Sequence, residues 1–278
     1  MKIGEYNRLK VSRTVDFGVY LTDGEGSPDV LMPSKYIEKP LKEGDEVDVF
    51  VYRDSDDRPV AVTEHPFATV GQFAFLQVAA VNRVGAFLDW GLPKDLLVPF
   101  REQKARMREG GIYPVYVYLD HETGRVAATA RIEKYLDNVY PELKPGDSVE
   151  ALVLRHTDTG YACIVNNLHS GMLYDNELFR NLEIGQTVEA SVHRVRPDGK
   201  IDLTLGGNAR QRSRSLADAI ADRLAAEGSL AVSEKSSPDA IKEAFACSKK
   251  DFKKAVGHLL KTGKIEIKSD GTIVCASK

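Results

Sequence analysis

Aromatic rings set beside glycine are the residues in this sequence best placed to do chemistry. Phe17 and Tyr20 flank Gly18 in VDFGVYL, and Phe87 follows Gly85 in NRVGAFL. The glycine lets neighbouring strands approach while the rings project from nearby positions on a curved sheet. Rings exposed in that setting stack on nucleobases, at roughly 1–3 kcal/mol per base and with little demand on base identity. Arg13 and Arg53 stand where they could contact phosphates beside those rings. Tyr20 and Phe87 read equally well as core; Phe17, between Asp16 and Gly18, is the better surface candidate.

Other chemistry is thinly represented. The six histidines are scattered, and His156 and His169 have no cysteine pair upstream to complete a zinc site. Cys163, Cys247 and Cys275 form no metal spacing, and their odd number argues against a disulfide framework. No GxxxxGKS/T phosphate loop, GxSxG elbow or HExxH pair is present. Most acidic residues fall in turns or alternate along strands, which leaves a carboxylate cluster assembled across the fold as the one route to nuclease chemistry. The expectation is a non-enzymatic chain without metal or cofactor.

The elements that position these rings recur three times. Gly18, Gly85 and Gly160 are each followed, 12 or 13 residues on, by an apolar element at Leu31-Met32-Pro33, Leu97-Val98-Pro99 and Met172-Leu173-Tyr174. Turns containing Gly44, Gly110 and Gly185 come next, and a last strand begins 16 residues beyond each, at Val60, Val126 and Ile201. Copies about 65–75 residues apart are too large for a solenoid unit and suit three small domains in series. Within each copy the period is 2, as in half-buried strands. Val47, Val49 and Val51 alternate with Glu46, Asp48 and Phe50, and Val188, Ala190 and Val192 alternate with Glu189, Ser191 and His193. In the second copy Tyr113, Val115, Val117 and Leu119 share one face, with Tyr116 and Tyr118 on the other. Turns at 54–57, 120–124 and 197–200 close the hairpins. Domains this small bury modest cores, so relative motion among them is expected.

This order of elements resembles the S1 RNA-binding domain, a five-stranded oligonucleotide-binding barrel. The matching pieces are DFGVYL, VLMP, EGDEVDVFVY and RPVAVTE, then VGAFLD, LLVP, EGGIYPVYVY and GRVAATA, then TGYACIV, GMLY, IGQTVEASV and GKIDLTL. The resemblance implies a binding face of two aromatics, a histidine and a basic residue. Phe17 and Tyr20 match the aromatics and Arg53 the basic residue, while Pro33 stands at the histidine position. The second copy keeps Phe87 and has Arg83 nearby, with Val84 and Pro99 as departures. The third has Tyr161 shifted by one position, Tyr174 at the histidine position, and His193, Arg194 and Arg196 on a later strand.

Beyond Leu205 the stretch NARQRSRS reads as a linker, with Arg210, Arg212 and Arg214 available to a backbone, and the period changes to 3.6. Ser215 is expected to cap a helix with Leu216, Ile220 and Leu224 inward and Gly228 just past its end. Ser237-Pro238 starts a second helix around Ile241, Ala244 and Phe245. Ser248 caps a third, with Phe252, Val256, Leu259 and Leu260 on one face, and KIEIKSDGTIVC forms a hairpin turning at Ser269-Asp270-Gly271. Helix, short helix, helix and hairpin outline a winged helix. Lys249, Lys250, Lys253 and Lys254 lie on its third helix without the Arg, Asn or Gln of bidentate base readout. Backbone binding or protein contact is therefore expected there rather than operator recognition.

Three S1-like barrels followed by an α/β winged helix resemble the conserved virulence factor B family. The expected limits are 1–64, 65–142, 143–208 and 209–278. From Arg210 onward 14 basic residues face 9 acidic ones, while the first 209 residues hold 24 against 32. Any basic footprint in the barrels is thus local, which argues against strong nonspecific duplex binding. With no apolar run of membrane-spanning length and no secretory leader pattern, a cytoplasmic protein is expected. The partner expected is single-stranded RNA, in a post-transcriptional regulator of gene expression. The alternatives are a protein-interaction scaffold with degenerate barrels and a DNA-associated transcriptional regulator acting through the winged helix.

Overall fold

The computed structural model describes residues 1–278 except 25, 27, 176, 177, 179, 180, 206–208, 246, 269, 270, 277 and 278, and the side chains of 209–215. The chain forms two compact units, Met1–Leu136 and Asp137–Lys278.

The first unit holds two closed five-stranded barrels. One is built from β1 (Glu5–Val15), β2 (Gly18–Thr22), β3 (Val30–Pro33), β4 (Glu46–Arg53) and β5 (Pro59–Val62). The other comprises β6 (Phe73–Val81), β7 (Gly85–Asp89), β8 (Leu96–Pro99), β9 (Ile112–Asp120) and β10 (Arg125–Thr129). The strands run antiparallel, except that the third and fifth of each barrel pair in parallel. A bulge between Val11 and Arg13, repeated between Val78 and Ala80, bends the long first strand around the barrel. Gly18 and Gly85 are required by the close approach of the second and third strands. A Cβ at Gly18 would lie 2.2 Å from the Met32 carbonyl oxygen, and one at Gly85 would lie 2.3 Å from that of Val98.

These two barrels share one core. Phe50 and Tyr52 lie on the outward face of β4, which the alternation assigns to solvent, yet they are 0 % and 4 % exposed. They are covered by Trp90, which follows β7 in the second barrel. Its ring meets those of Phe50 and Tyr52 edge-on, at 5.8 and 6.2 Å between centroids. The Trp90 indole N–H donates to the Lys94 carbonyl at 2.6 Å, satisfying its polar atom. The connecting chain is pinned as well: Phe67 N donates to Trp90 O and Val70 N to Gly4 O, both at 2.8 Å. A polar latch completes the seam. Lys94 Nζ donates to the carbonyls of Arg53 and Asp54, Arg53 Nε donates to that of Gly124, and Arg125 pairs with Asp57 at 2.8 Å.

The second unit opens with a third closed barrel: β11 (Ser148–Thr157), β12 (Gly160–Val165), β13 (His169–Tyr174), β14 (Thr187–Val195) and β15 (Ile201–Thr204). Asp137 joins it, its amide donating to Leu168 O and its carboxylate accepting from Ser170 N and Oγ. Its core is separate, centred on Val153, Cys163, Leu173, Val192 and Leu203. Burial pushes the Cys163 thiol up to about 12, as expected of a structural rather than a reactive cysteine.

Three helices follow, α1 (Ala209–Glu227), α2 (Pro238–Phe245) and α3 (Lys249–Lys261), with a two-stranded sheet of β16 (Ile265–Ile267) and β17 (Ile273–Cys275). Ser229 bridges to Val274, adding a third edge to this winged-helix arrangement. Helix α1 begins six residues before Ser215, so that serine is inside the helix and not its cap. Ala, Arg and Gln are good helix formers and extend it backwards. The side chains of Arg210, Arg212 and Arg214 lie outside the described residues, as does most of the 269–271 turn. Ser248 caps α3 by accepting from Asp251 N. Ala255 joins Phe252, Val256 and Leu259 in the core, whereas Leu260 is 39 % exposed. Among the described residues no helix is long and apolar enough to cross a membrane.

Trp90 is the sole tryptophan of the chain, so its emission reports the seam. Phe50→Ala is expected to cost about 3–5 kcal/mol and to shift Trp90 emission to the red. Unchanged emission and an unchanged urea midpoint would refute a shared core.

Candidate nucleic-acid interface

Strand pairing places one outward row across each barrel. In the first it runs Arg13–Tyr20–Leu31–Val60–Tyr52, in the second Ala80–Phe87–Leu97–Ala127–Tyr118. In the third the same positions are Arg155–Ala162–Met172–Asp202–Arg194. The row sits two residues beyond the close-approach glycine. The ring positions of the first two barrels are therefore Tyr20 and Phe87, with alanine in the third.

In the first barrel the Arg13 guanidinium lies 4.0 Å over the Tyr20 ring, a cation–π contact on an exposed surface. Its Nε is 3.8 Å from Asp29. Phe17, in the turn before β2, is 56 % exposed. Arg13 and Tyr20 are thus brought into contact, and Phe17 is exposed in the turn that joins their strands. Arg53 does not join them: its guanidinium donates to the carbonyls of Gly124 and Asp57 in the seam. Position explains the difference, because Arg53 ends β4 on the edge that the second barrel covers.

Phe87 is half-buried and lines a pocket of about 260 Å³ at that seam. Tyr52, Arg53, Trp90, Lys94, Asp95 and Arg125 also face it. Burial, then the neighbouring Arg125 charge, push the Lys94 ammonium below its usual range. The Arg125 hydrogen bond holds Asp57 below the usual carboxylate range.

 Val84 is exposed and also lines the pocket, and Arg83 beside it in the chain is exposed. Tyr52, Trp90, Lys94, Asp95 and Arg125 of its lining carry no motif in the sequence that marks them as site residues. A signal for Arg125 exists in the basic residue found where the last strand of every copy starts, Arg58, Arg125 and Lys200. Tyr116, Tyr118 and Tyr135 form a further aromatic group on the second barrel, with Tyr116 and Tyr135 stacked at 3.9 Å.

The third barrel departs from this pattern. Tyr161 is only 7 % exposed; its hydroxyl accepts from Leu182 N, and its ring meets His156 edge-on at 4.5 Å. It is a core residue and not a stacking platform, because a shift of one position in a strand turns a side chain to the other face. Asp202, 2 % exposed, occupies the row instead. It accepts from Arg194 Nε at 2.5 Å, from Arg196 Nε at 2.8 Å and from the Tyr174 hydroxyl at 3.2 Å. Arg196 also donates to the Tyr174 hydroxyl. Burial alone would raise the Asp202 carboxyl, but the hydrogen bonds from Arg196 and Arg194 hold it below the usual range. Arg194, Arg196 and Tyr174 are thus tied into one network, while His193 is exposed beside them.

On α3, Lys250, Lys253 and Lys254 are exposed, and Lys261 extends the same side. Lys249 differs: its ammonium donates to Ser236 O at 2.8 Å and so braces α3 against the segment before α2. Among the described residues no group of histidine, cysteine or acidic side chains is arranged to hold a metal ion.

A depressed carboxyl stabilises the fold above its unfolded value, near pH 3.9, and that contribution is lost as pH falls through the folded value. Asp202→Asn is expected to lower the stability of the third barrel at pH 7 and to flatten its loss below about pH 4. Urea titrations across that range check this; an unaltered acid limb would count against the network.

Comparison with known proteins agrees with this architecture. The S1 domain family matches residues 3–64 and 70–130, and the CvfB-like winged helix domain matches residues 218–273. The chain is 29 % identical over 269 residues to conserved virulence factor B of Staphylococcus haemolyticus, covering 91 % of this chain and 90 % of that protein. It is 27 % identical over 275 residues to the uncharacterized protein YitL of Bacillus subtilis, covering 95 % and 91 %. A solved multidomain protein with nucleic acid binding domains from Streptococcus pneumoniae is similar over 98 % of both chains, at 23 % identity and a TM-score of 0.42. With tandem S1 domains and a winged helix of this type, the chain belongs to the conserved virulence factor B family.

Proposed function

We propose that this chain is a non-catalytic RNA-binding protein of the cytoplasm, which takes single-stranded RNA on its barrels and regulates expression after transcription. The observation that carries the reading is Phe87. Its ring lines a pocket with Lys94 and Arg125 at the position where an S1 domain presents an aromatic side chain, inside a stretch that matches that family. Tyr20 holds the equivalent place in the first barrel, with Arg13 against it and Phe17 nearby. Stacking of this kind tolerates any base, so affinity without marked sequence preference is the expected starting point.

The third barrel and the winged helix contribute differently. Ala162 removes the ring from the third row, leaving charge from Arg155, Arg194 and Arg196 around a single buried Asp202. The exposed lysines of α3 add attraction for phosphates without base readout. A protein-contact role is the second reading for the third barrel, favoured by its lack of a stacking ring; stable partners retained from RNase-treated lysate by a chain that binds no RNA would establish it.

Fluorescence anisotropy with unstructured oligonucleotides at fixed salt tests the main reading. Replacing both Tyr20 and Phe87 with alanine is expected to weaken binding by about 2–6 kcal/mol while the fold persists. Unchanged affinity in the folded double variant would remove the assignment. Substituting Lys250, Lys253 and Lys254 together with alanine is expected to reduce the slope of log K against log salt by up to about 2. A slope equal to that of the unaltered chain would show that α3 stays clear of the RNA.

A further inference from the structure

The seam pocket contains a carboxylate whose acceptors are open. Asp95, the residue before β8, is half-buried and faces the pocket, and among the described residues no hydrogen bond or ion pair engages its carboxylate. Burial, and then the negative Asp89 nearby, push its carboxyl above the usual range. The other acids of the region have partners. Asp89 accepts from Gly91 N, Asp120 from Glu122 N and the Thr123 hydroxyl, Asp57 from Arg125 and Asp54 from Arg58. Its oxygens reach solvent at the pocket and are open to accept from a ligand that enters it.

Its position relative to Phe87 follows from the strand register. Phe87 lies opposite Leu97, and Leu88 opposite Leu96. Asp95 is two residues before Leu97, on the same side of the hairpin, so it lies diagonally across from Phe87. Diagonal neighbours of this kind are about 7–8 Å apart at the backbone, within reach of an aromatic group. A flat base resting on the Phe87 ring therefore brings one edge to Asp95.

We infer that the seam pocket reads a single base of bound RNA and that this base is guanine, stacked on Phe87 with its N1–H and N2–H donors directed at the two Asp95 oxygens. The inference rests on the RNA-binding reading above. An ionised carboxylate only accepts hydrogen bonds. Guanine presents two adjacent donors on its Watson–Crick edge, matching the two oxygens. Adenine and cytosine present one amino group beside a ring-nitrogen acceptor, and uracil presents one N–H between two carbonyls. Those acceptors would face the carboxylate and repel it, so the same group that favours guanine disfavours the rest. At about 260 Å³ the pocket is below the roughly 300–1,000 Å³ that takes a drug-sized ligand, which suits one base. Lys94 and Arg125 supply positive charge for the adjoining phosphate.

The test uses the full chain, a twelve-residue uridine oligonucleotide, and the same strand with one central guanosine or inosine. The guanosine strand is expected to bind at least about fivefold tighter than the uridine strand, and inosine, which lacks the N2 amino group, to lose part of that gain. In Asp95→Asn the ratio of the guanosine and uridine affinities is expected to fall to about one, because the amide turns a donor towards donors. Equal affinities in the unaltered chain, or a ratio that survives Asp95→Asn, overturn the inference and leave RNA binding standing. Binding to neither strand overturns both. If Asp95→Asn proves unfolded by circular dichroism, the inosine strand decides on the unaltered chain, and inosine bound as tightly as guanosine overturns the inference.

Discussion

No side chain fits at Gly18, Gly85 or Gly160. A Cβ there would stand 2.1–2.3 Å from a carbonyl oxygen of the third strand, well inside van der Waals contact. This exclusion lets the second and third strands of each barrel pair closely, and it fixes which residues face out. The outward row is counted from that glycine, so Tyr20, Phe87 and Ala162 occupy one geometric position although their surroundings in sequence differ. The close contact explains why the glycine recurs while the residue two places on varies. The first is dictated by closure of the barrel, and the second is open to functional choice.

The three barrels use that freedom in different ways. The first two carry rings, and the outer face of β4 in the first is buried beneath Trp90 of the second. Part of one barrel's surface has become the interior of a pair. The third replaces the ring with alanine and places Asp202 two strands further along the row, held by two arginines and a tyrosine hydroxyl. Breaking such a buried pair by removing one partner costs more than the pair contributes, since the other charge remains desolvated. Its arginines are accordingly part of the fold as well as part of the surface.

Much of this architecture is legible in the residues. Gly-to-strand spacings mark the three barrels, period 2 marks the inner faces, and Ser248 with Asp251 marks the start of α3. What escapes the sequence depends on distant partners. Phe50 and Tyr52 sit at alternation positions that read as solvent-facing, and only Trp90, some forty residues on, makes them core. Arg53 carries the right charge, but the edge it occupies is the one the second barrel covers. Tyr161 is misplaced by a single position, which in a strand is the whole difference between inside and outside. Lys249 belongs to a lysine run by sequence and to a backbone brace by structure. Asp95 and Lys94 gave no signal because their setting is made by two barrels at once.

The shared core of the first two barrels has a consequence for multivalency. Four strands lie between Tyr20 and Tyr52 along the first row, counting both ends, and neighbouring strands are about 4.8 Å apart. The path from the first ring to the seam is thus on the order of 14 Å and is set by the sheet. When one ligand chain touches both barrels, its second contact is intramolecular, at an effective concentration that a fixed span determines. A flexible tether would make that concentration fall with linker length; here there is no linker to lengthen. Under the proposed function the pair would act as a chelating ruler, favouring ligands long enough to cover the span and gaining nothing from two short ones.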